Sequence, residues 1–198
     1  MTTRQAQRAP RARRQILPDY LRPGLDVVFV GINPGLASAA AGHHYAGPTN
    51  HFWPLLHEAG FVPEPVTYAD DTRMPGFGIG LTNLVDRPTR GIDGLARAEL
   101  LAGAGRLRKK LRRCRARVVC FNGKAIAEAF LGGHCAFGRQ PERWEGAAVY
   151  VLPSTSARAA AYQYRDKLRF FRELKRLVDR ERAANAGPAL SEAEGARR

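Results

Sequence analysis

Two stretches limit what this chain can fold into. Val27–Val30 ("VVFV") and Val118–Phe121 ("VVCF") are apolar at every position. A strand with one wet face alternates apolar and polar residues, whereas one that is apolar throughout is covered on both faces. These runs lie inside "LDVVFVG" (25–31) and "ARVVCFN" (116–122), and two further strand signals are "FGIGLTN" (77–83) and "AAVYVLP" (147–153). Helical patterns fall between and after them. "NHFWPLLHEAG" (50–60) and "KAIAEAFLGG" (124–133) are short and end at glycines. "LARAELLAGAGRLRKKLRR" (95–113) places Leu100, Ala104, Leu107 and Leu111 on one face. "YRDKLRFFRELKRLVDRER" (164–182) does the same with Leu168, Phe171, Leu174 and Val178. Strands alternating with helices predict an α/β fold: a single domain with a mainly parallel central sheet of about four strands and helices on both faces.

The domain is expected over 16–180. Residues 1–15 form a basic arm with almost nothing to bury, expected to be disordered, and 181–198 read as a loose C-terminal tail. The formal net charge is +14. That points to an acidic partner, with nucleic acid first among the candidates. Lys109, Lys110, Lys124, Lys167 and Lys175 are the only lysines, so the cationic charge is mostly arginine, and a genome-wide compositional bias is the competing explanation. Cys114, Cys120 and Cys135 are odd in number and lack CxxC spacing. They are expected to be reduced thiols, too few for an iron–sulfur cluster within one chain. The N-terminus has no apolar signal-like stretch, and no apolar run is long enough to span a bilayer. A cytosolic protein is expected, nucleoid-associated or, in a eukaryote, nuclear.

In sheets of this kind ligands bind at the carboxyl ends of the strands. The loops there are 31–50, 82–90, 122–124 and 153–162, and the residues most in need of explanation are concentrated in them. After the first strand comes "GINPG" (31–35). Gly31 permits close approach of backbone to a ligand, and Pro34 stiffens the loop and biases Asn33 toward an extended conformation. The loop thus presents a neutral amide at a strand end. No GxxxxGK[ST] or GxGxxG pattern is present, so neither a nucleoside triphosphate nor a dinucleotide is indicated. Tyr45 can stack on a planar ring or simply pack. His43, His44, His51 and His57 have no metal-binding spacing, and no metal and no cofactor are expected. In "LPSTSARAAAY" (152–162), Ser154, Thr155 and Ser156 precede Arg158. One hydroxyl is explained by a helix cap; three followed by an arginine suit a phosphate.

Taken in order, "GINPGL", "GHHYAGPTNHFW", "GFGIGLTNLVDRPT", "FNGK" and "LPSTSARAA" resemble the mismatch-specific uracil/thymine-DNA glycosylases of the uracil-DNA glycosylase superfamily. The likeness covers roughly 16–178. "GINPG" together with the proline–serine loop is its most specific part. "GHHYAGPTNHFW" and "LPSTSARAA" look closer to the thymine-acting branch than to the shorter bacterial uracil-acting branch.

The resemblance implies roles by position. Asn33 matches the asparagine that positions the attacking water, and Tyr45 the aromatic that stacks on the extruded base. The backbone around Ile32 would hold the base edge. Asn83 and Thr89 match polar residues lining the base and water site. Ser154 and Ser156 match phosphate-gripping serines, and Arg158 the wedge that fills the vacated stack. Ser38 matches a position where the thymine-acting branch has a smaller alanine, which would disfavour a 5-methyl group. Another branch has a catalytic aspartate where Asn33 stands, so strong general-base catalysis is not expected here. Asp86 is the nearest carboxylate in the motif set. It either activates water or steadies the cationic sugar, or it pairs with Arg87 or Arg90 or caps a turn. Lys124 is either structural or in contact with a phosphate. The implied activity is monofunctional removal of uracil, and in the wider reading thymine, opposite guanine. The expected substrate is double-stranded DNA with a G:U or G:T mismatch, and the expected state a monomer. The alternatives are a glycosylase of broader scope, taking ethenocytosine or hypoxanthine, and a catalytically silent module that binds damaged DNA.

Overall fold

The computed structural model describes residues 16–157 and 161–186. The N-terminal arm, Arg158 and the end of the C-terminal tail lie outside the described residues. The chain runs β1 (Val27–Gly31), α1 (Leu36–Ala41), α2 (Phe52–Glu58), a 3₁₀ segment (Tyr68–Phe77), β2 (Ile79–Asn83), a 3₁₀ turn (Ile92–Gly94), α3 (Arg97–Cys114), β3 (Val118–Asn122), α4 (Lys124–Leu131), β4 (Gly138–Arg139), β5 (Ala148–Leu152) and α5 (Tyr164–Ala186).

The four strands expected from sequence are parallel, in the order β2-β1-β3-β5, and every residue in them is buried. Side chains alternate between two cores. On β1, Val27 and Phe29 face α2 and α5 in a cluster with Phe52, Leu56, Phe171 and Leu174. Val28 and Val30 face α3 and α4, joining Leu107, Leu111, Ile126 and Phe130. Burying each such side chain is worth roughly 1.5–3 kcal/mol, and both sheet faces draw on this. This is why the strands read as continuous apolar runs.

The sheet has five strands rather than about four. β4 adds an antiparallel edge against β5, pairing Gly138 with Val151 and Arg139 with Tyr150. Two residues carry no periodicity, so nothing in the sequence marked it. The loop after β1 is also more ordered than expected. "LASAAA" is a helix, consistent with alanine's high helix propensity, and it ends at Gly42 in the left-handed conformation with φ 78°. The C-terminal boundary shifts as well: α5 continues to Ala186, beyond the expected end at 180. Polar contacts hold this last stretch to the body. Glu181 accepts from Arg143 at 2.5 Å, and Arg182 pairs with Asp26, which also binds Arg117 at 2.9 Å. Among the described residues no helix is long and apolar enough to cross a membrane.

Candidate active site

The strand order reverses direction between β1 and β3, and a ligand crevice is expected outside their carboxyl ends. A cleft of about 780 Å³ opens there. Ile32, Asn33, Ser38, Tyr45, Asn83, Thr89, Lys124, Ser154 and Ser156 all line it. Three of the four strands deliver an asparagine to this end: Asn33 two residues beyond β1, Asn83 closing β2 and Asn122 closing β3. Each has a different hydrogen-bonding task.

The Asn33 amide nitrogen donates to the Arg87 carbonyl at 2.7 Å and to Thr89 Oγ1 at 2.8 Å. A carbonyl can only accept, so the atom facing Arg87 must be the nitrogen and the amide orientation is fixed. Both N–H groups are spent, which leaves Oδ1 as the working atom. Thr89 is buried, and its own hydroxyl donates to the Gly91 carbonyl at 2.7 Å. Its proton is therefore committed. Thr89 thereby helps to position the Asn33 amide. The two loops are also joined through their backbones, with Thr89 N donating to the Pro34 carbonyl at 3.2 Å.

Asn83 lies opposite Gly31 in the sheet register. A Cβ at Gly31 would sit 2.4 Å from Asn83 Oδ1 and 3.3 Å from the Tyr45 hydroxyl. The glycine leaves the space these two groups occupy. Asn83 is 9% exposed, and its side-chain amide has no partner among the described residues. It offers a donor and an acceptor to a ligand edge. The Ile32 carbonyl accepts from Val85 N at 2.8 Å, which ties the loop after β1 to the chain beyond β2.

Tyr45 stacks on Phe52, with ring centroids 3.9 Å apart and planes at 18°. One face is backed by the core while the residue lines the cleft, so the other face can carry a planar base. Burial pushes its hydroxyl pKa up, so the phenol stays neutral. Its backbone is left-handed, with φ 53°, a conformation that costs a bulky residue and must be held by its surroundings. Asp71 does much of this. The Asp71 carboxylate is fully buried and accepts from His44 N at 2.9 Å, with His43 Nδ1 also 2.9 Å away. Trp53 Nε1 donates to the His44 carbonyl at 3.2 Å, and His44 Nε2 reaches the Pro18 carbonyl at 2.8 Å. Burial lowers the pKa of His44. His43 and His44 thus brace the tyrosine. Ser38 helps from the other side, its hydroxyl accepting from Ala46 N at 3.0 Å.

The hydroxyl loop after β5 is anchored by Asn122. Its amide donates to Thr155 Oγ1 at 2.8 Å and accepts from Thr155 N at 3.0 Å. Ser156 N donates to Ser154 Oγ at 3.3 Å, so the loop curls with Ser154 and Ser156 toward the cleft. Lys124 is exposed at the cleft edge, its ammonium 5.7 Å from the centre of the Phe137 ring. Gly123, just before it, has φ 137°, which side-chain-bearing residues rarely adopt.

Asp86 departs from expectation. It does not line the cleft; its carboxylate lies 3.9 Å from the Lys110 ammonium and is 42% exposed. The pairing expected with Arg87 is not formed. Arg87 turns instead to Glu99, at 2.7 Å. The carboxylate that does line the cleft is Asp93, exposed on the 3₁₀ turn. Asp71, Asn122 and Phe52 were not singled out from sequence, and Thr155 was read there only as one of three phosphate-facing hydroxyls, not as the partner of Asn122. Asn122 alone carried a signal, as a polar residue ending an otherwise apolar strand.

A cleft at the switch point of a parallel sheet, walled by amides, a backed aromatic and a hydroxyl loop, marks an α/β protein whose site suits a planar polar ligand. The chain belongs to the uracil DNA glycosylase superfamily, whose sequence pattern matches residues 18–177. It is 35% identical over 179 residues to a G/U mismatch-specific uracil DNA glycosylase from Schizosaccharomyces pombe. That match takes in 85% of this chain and 55% of the relative, so the chain spans about half the relative's length. The fold is also similar to the solution NMR structure of a candidate uracil DNA glycosylase from Methanosarcina acetivorans, with TM-score 0.54 and 22% identity over 80% of this chain and 96% of that one.

Proposed function

We propose that this chain is a monofunctional DNA glycosylase. It removes uracil mispaired with guanine from duplex DNA by hydrolysing the N-glycosidic bond, and so initiates base excision repair. The fixed amide of Asn33 carries this reading. With both N–H groups spent on Arg87 and Thr89, only Oδ1 can accept a hydrogen bond from a water molecule. An amide does not take up a proton at neutral pH, so it orients water rather than activating it. Fixed orientation alone can lower a barrier by up to roughly 7–11 kcal/mol in ideal cases.

The bond then breaks largely by charge separation, leaving a cationic sugar and an anionic pyrimidine. Uracil leaves well as an anion, and donors aimed at its edge stabilise that charge. Asn83 is placed to be such a donor, and the Tyr45–Phe52 stack supplies the platform for an extruded base. Ser154 and Ser156 would hold the strand's phosphates, with Arg158 filling the gap in the stack. Thymine opposite guanine is the slower substrate in this reading, because the Ser38 hydroxyl lines the cleft where a 5-methyl group would come. A monomer suffices for the reaction, since every group invoked comes from one chain. The relative from Schizosaccharomyces pombe, named for G/U mismatch specificity, supports the same substrate.

Single-turnover excision on G·U, G·T and G·C duplexes tests the proposal. Uracil release from G·U, with slower release of thymine from G·T, is expected. Mismatch binding without release of any base would point to the silent module instead.

A further inference from the structure

Helix α5 buries an amine that the chemistry above does not use. Lys167 is 2% exposed, and its ammonium donates to the Ser156 carbonyl at 3.1 Å. An ammonium has three donors, and no carboxylate pairs with this one among the described residues. Burial holds its pKa below that of an ordinary lysine. A second nitrogen group nearby is in a similar position. His51 Nδ1 is buried with no hydrogen-bond partner, and burial, together with the charge of Lys167, lowers its pKa. A buried charge without an opposite partner is costly to a fold.

The location of this charge indicates what offsets the cost. Ser154, Thr155 and Ser156 line the cleft, and Lys167 holds the same loop through the Ser156 carbonyl. In a trans peptide the carbonyl and the following N–H point in opposite directions. The Ala157 N–H therefore faces away from the lysine. A cation bound to the carbonyl also polarises the peptide and strengthens that N–H as a donor. We propose that the missing counter-charge of Lys167 is a DNA backbone phosphate. On this view Lys167 is a positioning residue that charges the Ser156–Ala157 peptide from behind and so completes the phosphate grip. The inference rests on the DNA-glycosylase reading above.

The test uses full-length wild type, Lys167→Met and Lys167→Arg. It measures affinity for a duplex with a tetrahydrofuran abasic analogue opposite guanine across a KCl titration, together with thermal melting. No excision is needed for these readouts. Lys167→Met is expected to weaken binding at low salt about ten-fold and to flatten the slope of log affinity against log salt by about 0.9, the contribution of one phosphate. Its melting temperature should hold or rise, because the uncompensated charge is gone. Lys167→Arg should recover most of the affinity and slope. Wild-type affinity and slope in Lys167→Met would overturn the proposal. So would a Lys167→Met protein that melts lower or does not fold, since that marks a structural pin. Failure of the underlying reading appears elsewhere, in wild-type protein that releases no uracil from G·U.

Discussion

Asn33 and Thr89 share one hydrogen bond, and its proton belongs to Asn33. The amide nitrogen sits 2.8 Å from Thr89 Oγ1, while the threonine hydroxyl hands its own proton to the Gly91 carbonyl 2.7 Å away. The chain of donors runs one way, from amide to hydroxyl to backbone. Its effect is to fix the Asn33 amide and leave Oδ1 as its free acceptor.

Thr89→Val keeps the size of the side chain and removes the acceptor. The amide then loses one of its two restraints. The single-turnover rate on G·U is expected to fall roughly ten-fold, equivalent to about 1.4 kcal/mol, with DNA affinity little changed. Thr89→Ser should retain most activity. Equal rates for Thr89→Val and wild type would mean that the Arg87 carbonyl alone fixes the amide.

Asp71 lies in the 3₁₀ segment rather than in any motif, yet it holds the strained backbone around Tyr45. Asp71→Asn keeps one acceptor oxygen where the structure uses two, for His43 and for His44 N. Stability should drop by about 2 kcal/mol, as measured by urea denaturation, because a buried donor is left poorly satisfied. Excision should fall further than stability explains, since the stacking platform loosens. A stable variant with wild-type rates would show that Trp53 and Pro18 suffice to hold the loop.

These two residues mark where the sequence was legible and where it was not. The four main strands follow from their apolar runs, and the helices over 97–114 and 164–186 from their apolar stripes, because burial on a sheet imposes those periods. Asn33 could be located because it follows a strand in unusual local sequence, whereas Asn83, and the stacking role of Tyr45, came from the family resemblance. Asp71 could not, since its partner is a loop 27 residues away and nothing local distinguishes it from its neighbour Asp70. Lys167 reads as one more cation on a basic helix until its burial is seen. Asp86 shows the opposite error: closeness in sequence to Asn83 suggested the cleft, but the chain turns between them and leads it to Lys110.

Ser38 has two jobs, which complicates its use as a specificity switch. Its hydroxyl lines the cleft and also accepts the Ala46 N–H. Ser38→Ala should raise the G·T rate relative to G·U, because the space beside the 5-position opens. The same change orphans a buried backbone donor and should cost about 1–3 kcal/mol of stability. Both rates and the melting temperature are needed to separate the effects. An unchanged G·T to G·U ratio would remove Ser38 from the account of substrate choice.

The strongest comparison sets the amide against the carboxylates. Asn33→Ala removes the amide to which the proposed function assigns the attacking water, and it should abolish most uracil release while mismatch binding persists. Asp86→Asn should be nearly silent. Its carboxylate is half-exposed beside Lys110, and surface pairs of this kind contribute only about 0–1 kcal/mol. Asp93→Asn completes the set, because Asp93 is the carboxylate that does line the cleft. If the neutral-amide mechanism holds, the rate should show no dependence on an acidic group. Asp93→Asn should then change DNA affinity slightly, through one less negative charge facing the phosphates, without lowering the single-turnover rate. A loss of rate in Asp93→Asn comparable to that in Asn33→Ala, with the melting temperature unchanged, would move water activation to a carboxylate and leave Asn33 as its positioning partner.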